Sequence, residues 1–321
     1  MENLTRRQLL AAALGTAGTV AAGGFLNEAL ALLSREDLVP GEASEDLLLP
    51  RAWTTSDDRL TFAAIGDNGS GGRQAMAVAR RMAQTYQLLP FEHVTLLGDI
   101  CYYGSIRNRF ADVFVRPMRP LIDAGVAFEL AVGNHDGGLH HSDESLEEIE
   151  AQLEYLGTPS RYYSSTRGPV ELFYLDSSSP GLFGVDSSAQ LQWLDDSLAS
   201  SSSQWKIVAL HHPLHSSGRH GSTPGADEVL EPILVRHKVD LVLAGHDHHY
   251  ERTVPIQGIT HVVSGGGCKT TRVRPSRFTA AAASALQFLH VDITGDRLVG
   301  RALRPDGDVL DLFELRAREG R

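Results

Sequence analysis

Six short segments of the chain contain residues that commonly bind metal ions. In chain order they are Gly66-Asp67-Asn68-Gly69, Gly98-Asp99-Ile100-Cys101-Tyr102, Gly133-Asn134-His135-Asp136, His211-His212-Pro213, Arg219-His220-Gly221 and Gly245-His246-Asp247-His248. Together they offer carboxylate, amide and phenol oxygens as well as imidazole nitrogens. This mixture of oxygen and imidazole ligands suits a pair of transition metals.

Five of these residues come soon after short apolar runs that are typical of buried strands. The pairs of run and residue are Leu60–Ile65 with Asp67, Val94–Leu97 with Asp99, Ala127–Val132 with Asn134, Ile207–Leu210 with His211, and Leu241–Ala244 with His246. In open α/β sheets, functional residues gather beyond the carboxyl ends of the strands. The glycines before Asp67, Asp99, Asn134 and His246 allow tight turns off the strands. We therefore expect these side chains to meet at one edge.

The remaining pattern predicts an α/β chain that passes into a β-rich meander. A further strand, Val170–Leu175, belongs to the α/β part. Helical spacing of apolar residues marks Arg73–Tyr86, Ser145–Leu156, Ala189–Ser200 and Asp227–His237. Late strands are predicted at Thr260–Ser264, Leu286–Ile293, Arg297–Leu303 and Val309–Leu315. The simplest partition is a linker at 32–56 and one catalytic domain at 57–316.

Histidines are concentrated in the second half of the chain. Eight of the fourteen lie between His211 and His249. His246 and His248 are separated by one residue on a loop that leaves a strand, so both imidazoles can point to one dinuclear centre. We expect His249 to point away from it, and His215 to be a loop residue near the mouth of the site.

Composition limits the classes of partner. The 321 residues are 42% hydrophobic and 21% charged, with a formal net charge of −11, as in a globular protein. No Lys/Arg block marks a nucleic-acid footprint, and the acidity argues against a polyanionic partner. A metal centre would supply its own positive charge for a small phosphorylated substrate. The two cysteines, Cys101 and Cys268, either pair or stay free.

The N-terminus has the pattern of an export signal. Thr5-Arg6-Arg7-Gln8-Leu9-Leu10 is a twin-arginine start, an uncharged stretch follows, and Ala29-Leu30-Ala31 offers a cleavage site. The prediction is a signal peptide at 1–31 and export by the twin-arginine machinery to a periplasmic or secreted location, with no stable membrane span after cleavage. An uncleaved anchor and a buried helix are the alternatives.

The series Asp67, Asp99, Asn134, His211, His246 and His248 resembles the calcineurin-like metallophosphoesterase superfamily. Tyr102 in Gly-Asp-x-x-Tyr makes the chain similar to its purple, tartrate-resistant acid phosphatase branch, as does His220, nine residues after His211. The resemblance covers about residues 60–270. It implies a four-layer α/β/β/α sandwich of two mixed sheets flanked by helices.

The resemblance also implies a ligand set. Asp67, Tyr102 and His248 would hold one metal, typically Fe(III). Asn134, His211 and His246 would hold the other, which would be Fe(II), Zn or Mn, and Asp99 would bridge the two.

The implied activity is that of an acid phosphatase-like phosphomonoesterase, in which hydroxide held by the metals attacks phosphorus. His135 and His220 would position the phosphate and protonate the leaving group. Asp136 and Asp247 are expected to orient imidazoles. A phosphodiesterase acting on cyclic nucleotides or glycerophosphodiesters is one alternative. A non-catalytic phosphate- or metal-binding protein is another.

Overall fold

The computed structural model describes residues 58–102, 106–137, 143–178 and 187–318. The predicted signal peptide at 1–31 and linker at 32–56 lie outside these ranges, and they stay predictions together with the bounds of the 57–316 domain. No helix within the described ranges has the length and apolar character needed to cross a membrane.

Two mixed sheets form the centre of the described chain. Their strands are β1 Arg59–Ile65, β2 His93–Leu96, β3 Ala127–Leu130, β4 Tyr163–Arg167, β5 Val170–Tyr174, β6 Trp205–Leu210, β7 Leu241–Ala244, β8 Tyr250–Thr253, β9 Thr260–Ser264, β10 Thr279–Ala283, β11 Phe288–Thr294, β12 Arg297–Leu303 and β13 Val309–Arg316. One sheet has the order β13-β12-β11-β1-β2-β3, and the other has the order β10-β8-β9-β7-β6-β5-β4.

The strands that the sequence marks as ligand-bearing are the parallel ones. β2 pairs in parallel with β1 and β3, and β6 pairs in parallel with β5 and β7. The other pairings of the first sheet, from β1 to β13, are antiparallel. Each parallel group thus ends at a common edge, which is where a site is expected.

Helices cover the outer faces of both sheets. They are α1 Arg73–Leu88, α2 Ile106–Phe110, a π-helical turn at Ala111–Val115, α3 Arg116–Asp123, α4 Asp143–Leu156, α5 Ser187–Ser200 and α6 Ala226–Arg236. Residues of α1 to α4 pack on the first sheet, and residues of α5 and α6 pack on the second.

Alternation along β1 builds the layers. Leu60, Phe62 and Ala64 belong to the apolar cluster between the two sheets, whereas Ala63 and Ile65 belong to the cluster under the helices. Because side chains alternate across a strand, a strand buried on both faces must be apolar throughout. The predicted four-layer α/β/β/α sandwich is confirmed.

Several elements differ from the sequence prediction. Strands β4, β8 and β10 are additional, and so is the helical stretch from Ile106 to Asp123. All helices and strands that the sequence predicts are present, with bounds shifted by a few residues.

Candidate metal centre

The carboxyl edges of the two sheets meet through backbone hydrogen bonds. The Gly66 N–H, after β1, donates to the Ser264 carbonyl of β9 at 2.8 Å, and the Gly267 N–H, after β9, donates to the Gly66 carbonyl at 3.1 Å. Within the second sheet, the Gly245 N–H donates to the His211 carbonyl at 3.0 Å. These bonds join the loops that carry Asp67, His211 and His246. The predicted ligands are therefore brought together from both sheets.

Three donor atoms converge beside β1. The Tyr102 hydroxyl donates to Asp67 Oδ1 at 2.8 Å and lies 3.3 Å from His248 Nε2, which is 3.2 Å from Asp67 Oδ1. Ligand atoms about 2.1 Å from a shared ion lie roughly 3 to 3.4 Å from one another. Asp67, Tyr102 and His248 thus have the spacing of a metal-binding set.

A second set converges on the amide of Asn134. His211 Nε2 and His246 Nδ1 each lie 3.1 Å from Asn134 Oδ1. Asp99 lies between the two sets: its Oδ1 is 3.4 Å from His211 Nε2, and donor atoms of Asp67, Asp99 and His211 all lie within 4.8 Å of one another. This is the position that a bridging carboxylate requires.

The charge balance of the centre fits cations. Asp67 and Asp99 are 0% and 1% exposed. Among the described residues, their ion pairs run to His248 and His211 and not to Lys or Arg. Buried carboxylates without a matching cation are costly. Two bound metal ions would remove that cost, and the residues present fit them.

Backbone strain is concentrated at the same residues. Five non-glycine residues of the described chain have positive φ, and Asp67 (60°), Asp99 (56°) and His246 (67°) are three of them. Non-glycine residues in the left-handed region are uncommon and cluster at functional sites. Each directs a side chain from a strand end into the centre.

Two glycines are required by close approach. A Cβ on Gly98 would lie 2.5 Å from His211 Nδ1, and a Cβ on Gly133 would lie 2.4 Å from Asp99 Oδ1. Both distances are shorter than real contacts, so a side chain at either position would displace a predicted ligand.

His211 is oriented by a carbonyl. Its Nδ1 lies 2.7 Å from the Leu97 oxygen, and because a carbonyl only accepts, Nδ1 carries the proton. Nε2 is then the atom that faces the centre. Burial lowers the pKa of His211, but the neighbouring Asp99 carboxylate outweighs this effect and raises it to about 10. The negative centre therefore draws either a proton or a metal to this imidazole.

The pKa values of His246 and Tyr102 are shifted in opposite directions. Burial, together with the nearby His211 and His212, lowers the pKa of His246 to about 2, so this imidazole is neutral and able to bind a metal. Burial and the Asp67 and Asp99 carboxylates raise the pKa of Tyr102 far above its usual range. A phenolate at Tyr102 therefore needs a strong cation beside it.

The two predicted proton-handling histidines line the centre. The ring of His135 is 4.9 Å from that of Tyr102, and the exposed His220 ring is 4.5 Å from that of His246. The Asp247 carboxylate accepts the backbone N–H groups of His220 at 2.9 Å and Gly221 at 3.1 Å. Asp247 thus fixes the loop that carries His220.

The expected roles of Asp136 and Asp247 need correction. The bonds of the Asp136 carboxylate run to the backbone N–H groups of Gly133, Asp99 and Ile100, at 2.8 to 2.9 Å. Both aspartates therefore hold loop backbone rather than orienting imidazoles. The sequence shows the residue type but not this choice of partner.

Other residues at the site were not foreseen. Ser177, after β5, accepts the backbone N–H groups of His211 and His212 on its hydroxyl, and Lys269, after β9, has its ammonium 4.2 Å from the Tyr102 ring centre. Both follow parallel strands, so the strand-end rule could have found them. Cys101 and Cys268 are free and buried.

The sequence is similar to those of known acid phosphatases. Residues 60–250 match the calcineurin-like phosphoesterase family. Human tartrate-resistant acid phosphatase type 5 is 27% identical over 257 residues, which cover 69% of this chain and 77% of that protein. Purple acid phosphatase 4 of Arabidopsis thaliana is 29% identical over 253 residues, covering 67% and 70%.

Two solved structures share the fold at low identity. Purple acid phosphatase PPD1 from yellow lupin has a TM-score of 0.66 at 22% identity, over 80% of this chain and 54% of that one. GAP50, described as the anchor in the inner membrane complex of Plasmodium, has a TM-score of 0.68 at 18% identity, over 81% and 90%. With the family match over most of the described sheets and the converging ligands, the chain belongs to the calcineurin-like phosphoesterase family.

Proposed function

We propose that this protein is an exported phosphomonoesterase of the acid phosphatase kind, with two metal ions in its centre. The observation that carries the proposal is the pair of donor sets on either side of Asp99. Each has its ligand atoms within 3.3 Å of a shared neighbour. The two sets together combine oxygen and imidazole donors, which is the ligand chemistry of dinuclear hydrolases.

The residues divide into two proposed ligand groups. Asp67, Tyr102 and His248 would hold one ion, Asn134, His211 and His246 the other, and Asp99 would be shared. When bound, the two ions would neutralise the phosphate and lower the pKa of water. The Tyr102 phenolate, an anionic donor, favours Fe(III) in the first group.

The side chains around the ions would handle the substrate. His220 lies on the open side of the centre, beside His246, and is held there through its backbone by Asp247. From this position its imidazole can give a proton to the leaving alkoxide. His135 lies against Tyr102, and its backbone N–H donates to Asp99 Oδ1 at 2.8 Å. Its ring would position the phosphate.

Fold alone does not decide between an enzyme and a binding protein, because the fold is shared with both a phosphatase and a protein described as an anchor. The complete ligand set and the presence of His220 favour catalysis. If a fully metallated sample is inert toward all phosphoesters, the non-catalytic alternative is correct.

The test of substrate class compares chromogenic monoesters and diesters. We expect a higher kcat/KM for the monoester, because His220 and Tyr102 resemble the acid phosphatase branch. A higher value for a diester, cyclic nucleotide or glycerophosphodiester would overturn the monoesterase proposal while leaving the metal centre intact.

Iron at Tyr102 has its own signature. Oxidised protein should show a visible charge-transfer band, and Tyr102→Phe should abolish it. A band that persists in this variant would remove Tyr102 from the ligand set.

Export is proposed from Arg6 and Arg7, which lie outside the described residues. Replacing both with Lys should leave the protein in the cytoplasm, as followed by cell fractionation. Unchanged export of that variant would contradict the twin-arginine route.

A further inference from the structure

A second group of metal-binding side chains lies outside the candidate metal centre. His215 is in the loop after β6, Glu231 is on α6 and His261 is on β9. Each offers one donor atom, and the three atoms lie within 4.8 Å of one another. Three separate elements thus place two imidazoles and one carboxylate at one point, between the second sheet and its covering helix.

His261 lacks the hydrogen bonds that a buried imidazole needs. It is 3% exposed, and neither of its ring nitrogens has a partner among the described residues. Leaving a buried polar group unsatisfied is destabilising. Burial and the neighbouring His215 lower the pKa of His261 to about 3. The ring is therefore neutral, with a lone pair available.

The other two side chains already have the required spacing. His215 Nε2 lies 3.1 Å from Glu231 Oε1, whereas ligand atoms around a tetrahedral zinc ion are about 3.3 Å apart. The rings of His215 and His261 are 4.7 Å apart and nearly perpendicular. The donor atom of His261 lies within 4.8 Å of those of His215 and Glu231.

We infer that His215, Glu231 and His261 form a separate zinc site, with water in the fourth position. Two histidines and one glutamate are a known zinc ligand set, and bond lengths near 2.0 to 2.2 Å fit this cluster. The carboxylate also offsets part of the charge of a divalent ion. The proposal rests on this cluster alone and does not depend on the proposed function.

The site has a structural consequence for the loop between His211 and His220. His215 is in that loop, and its neighbour Ser216 donates to Asp247 Oδ2 at 2.5 Å. A zinc ion would tie this loop to α6 and β9. It would therefore stabilise the segment that presents His220 to the centre.

The test uses the full chain with both halves of the main centre disabled by Asp67→Asn, Asp99→Asn and His246→Ala. Metal-stripped protein is titrated with Zn²⁺ by calorimetry, and zinc content is measured after gel filtration. We expect a single zinc ion per chain that raises the Tm. Glu231→Gln and His215→Ala, added separately, should each weaken its binding at least tenfold. His237→Ala, just after α6 and outside the cluster, is the matched control; it removes the contact of His237 with Asp195 but should leave the affinity for zinc unchanged.

The same comparison in otherwise wild-type protein does not depend on the folding of the disabled variant. There His215→Ala, in a partly exposed loop, should lower the zinc content by one ion per chain. The site would be overturned if zinc did not bind, or if Glu231→Gln and His215→Ala bound zinc as tightly as the protein without these substitutions. A buried water satisfying His261 would then be the better explanation.

Discussion

Asp99 and Glu129 are both buried carboxylates near the ends of strands, but they are neutralised in different ways. Glu129, on β3, accepts hydrogen bonds from Arg167 at 2.7 Å, Tyr174 at 2.6 Å and Ser165 at 2.9 Å. Asp99 has the His211 imidazole and the backbone N–H of His135 beside it, and the carboxylates of Asp67 and Asp136 are close by.

The difference teaches how to separate a structural carboxylate from a metal ligand. A carboxylate with its own arginine is complete within the protein. One that shares its surroundings with other carboxylates and imidazoles needs a cation from outside. Burial raises the pKa of Glu129, but His93, Tyr174 and Arg167 together hold it below its usual range. Burial also raises the pKa of Asp99, but His211 lowers it below its usual range, so the partners and not the direction of the pKa shift distinguish the two carboxylates.

Replacing Asp99 should have the largest effect. Asp99→Asn removes the charge shared by both proposed ion positions, so we expect monoester kcat to fall by about a thousandfold or more, as for loss of a principal electrostatic group. Steady-state kinetics with a chromogenic monoester measures it. Activity within tenfold of wild type would contradict the bridging role.

Replacing Glu129 should have the opposite profile. Glu129→Gln leaves Arg167 without its carboxylate and should lower the free energy of unfolding by about 2 to 3 kcal/mol. Urea unfolding measures this, and metal content should be unchanged. If Glu129→Gln lost metal while keeping its stability, the division between the two carboxylates would be wrong.

Asp247 allows a subtler test of the centre. Asp247→Ala frees the backbone of His220 and Gly221 but keeps the imidazole, so we expect kcat for a poor leaving group to fall about tenfold, less than the roughly hundredfold or more that general acid catalysis contributes. A good leaving group should be affected little. Asp306→Ala, on an exposed turn, is the control, and equal slowing of both substrates would indicate loss of positioning rather than of protonation.

The last prediction concerns pH. Burial lowers the pKa of His93, beside Glu129, to about 4, against an ordinary 6.5. Between these values the unfolded chain binds a proton that the folded protein does not. Stability from this group is therefore complete above pH 6.5 and is lost as pH falls toward 4, by about 1.4 kcal/mol per pH unit. His93→Asn should flatten this slope in urea unfolding at several pH values. An unchanged slope would contradict a neutral, buried His93.

Much of the fold could be predicted because its central strands are apolar on both faces. The missed strands are of other kinds. β4 (Tyr163–Arg167) is an edge strand with exposed residues, and β10 (Thr279–Ala283) is mostly alanine. Pro117 and Pro120 obscured the helical stretch before β3, although α3 has a proline in its first turn.

The candidate site could be predicted as residue types at strand ends, but not as a network. The Leu97 carbonyl that orients His211, and the amides that Asp136 holds, are backbone partners fixed by how the two sheets meet. His215 was expected to be an ordinary loop residue, because Glu231 and His261 are distant from it in sequence and form no motif. Only the packing of α6 on the second sheet brings the three together.

Metal removal and restoration tests the central claim most directly. Monoester hydrolysis is measured on metal-stripped protein and again after metals are restored, for wild type and Asp99→Asn in parallel. The account predicts that stripped wild-type protein is inactive, that restored metals return its activity, and that Asp99→Asn gains little. Full activity of the stripped protein, or equal recovery by Asp99→Asn, would contradict it.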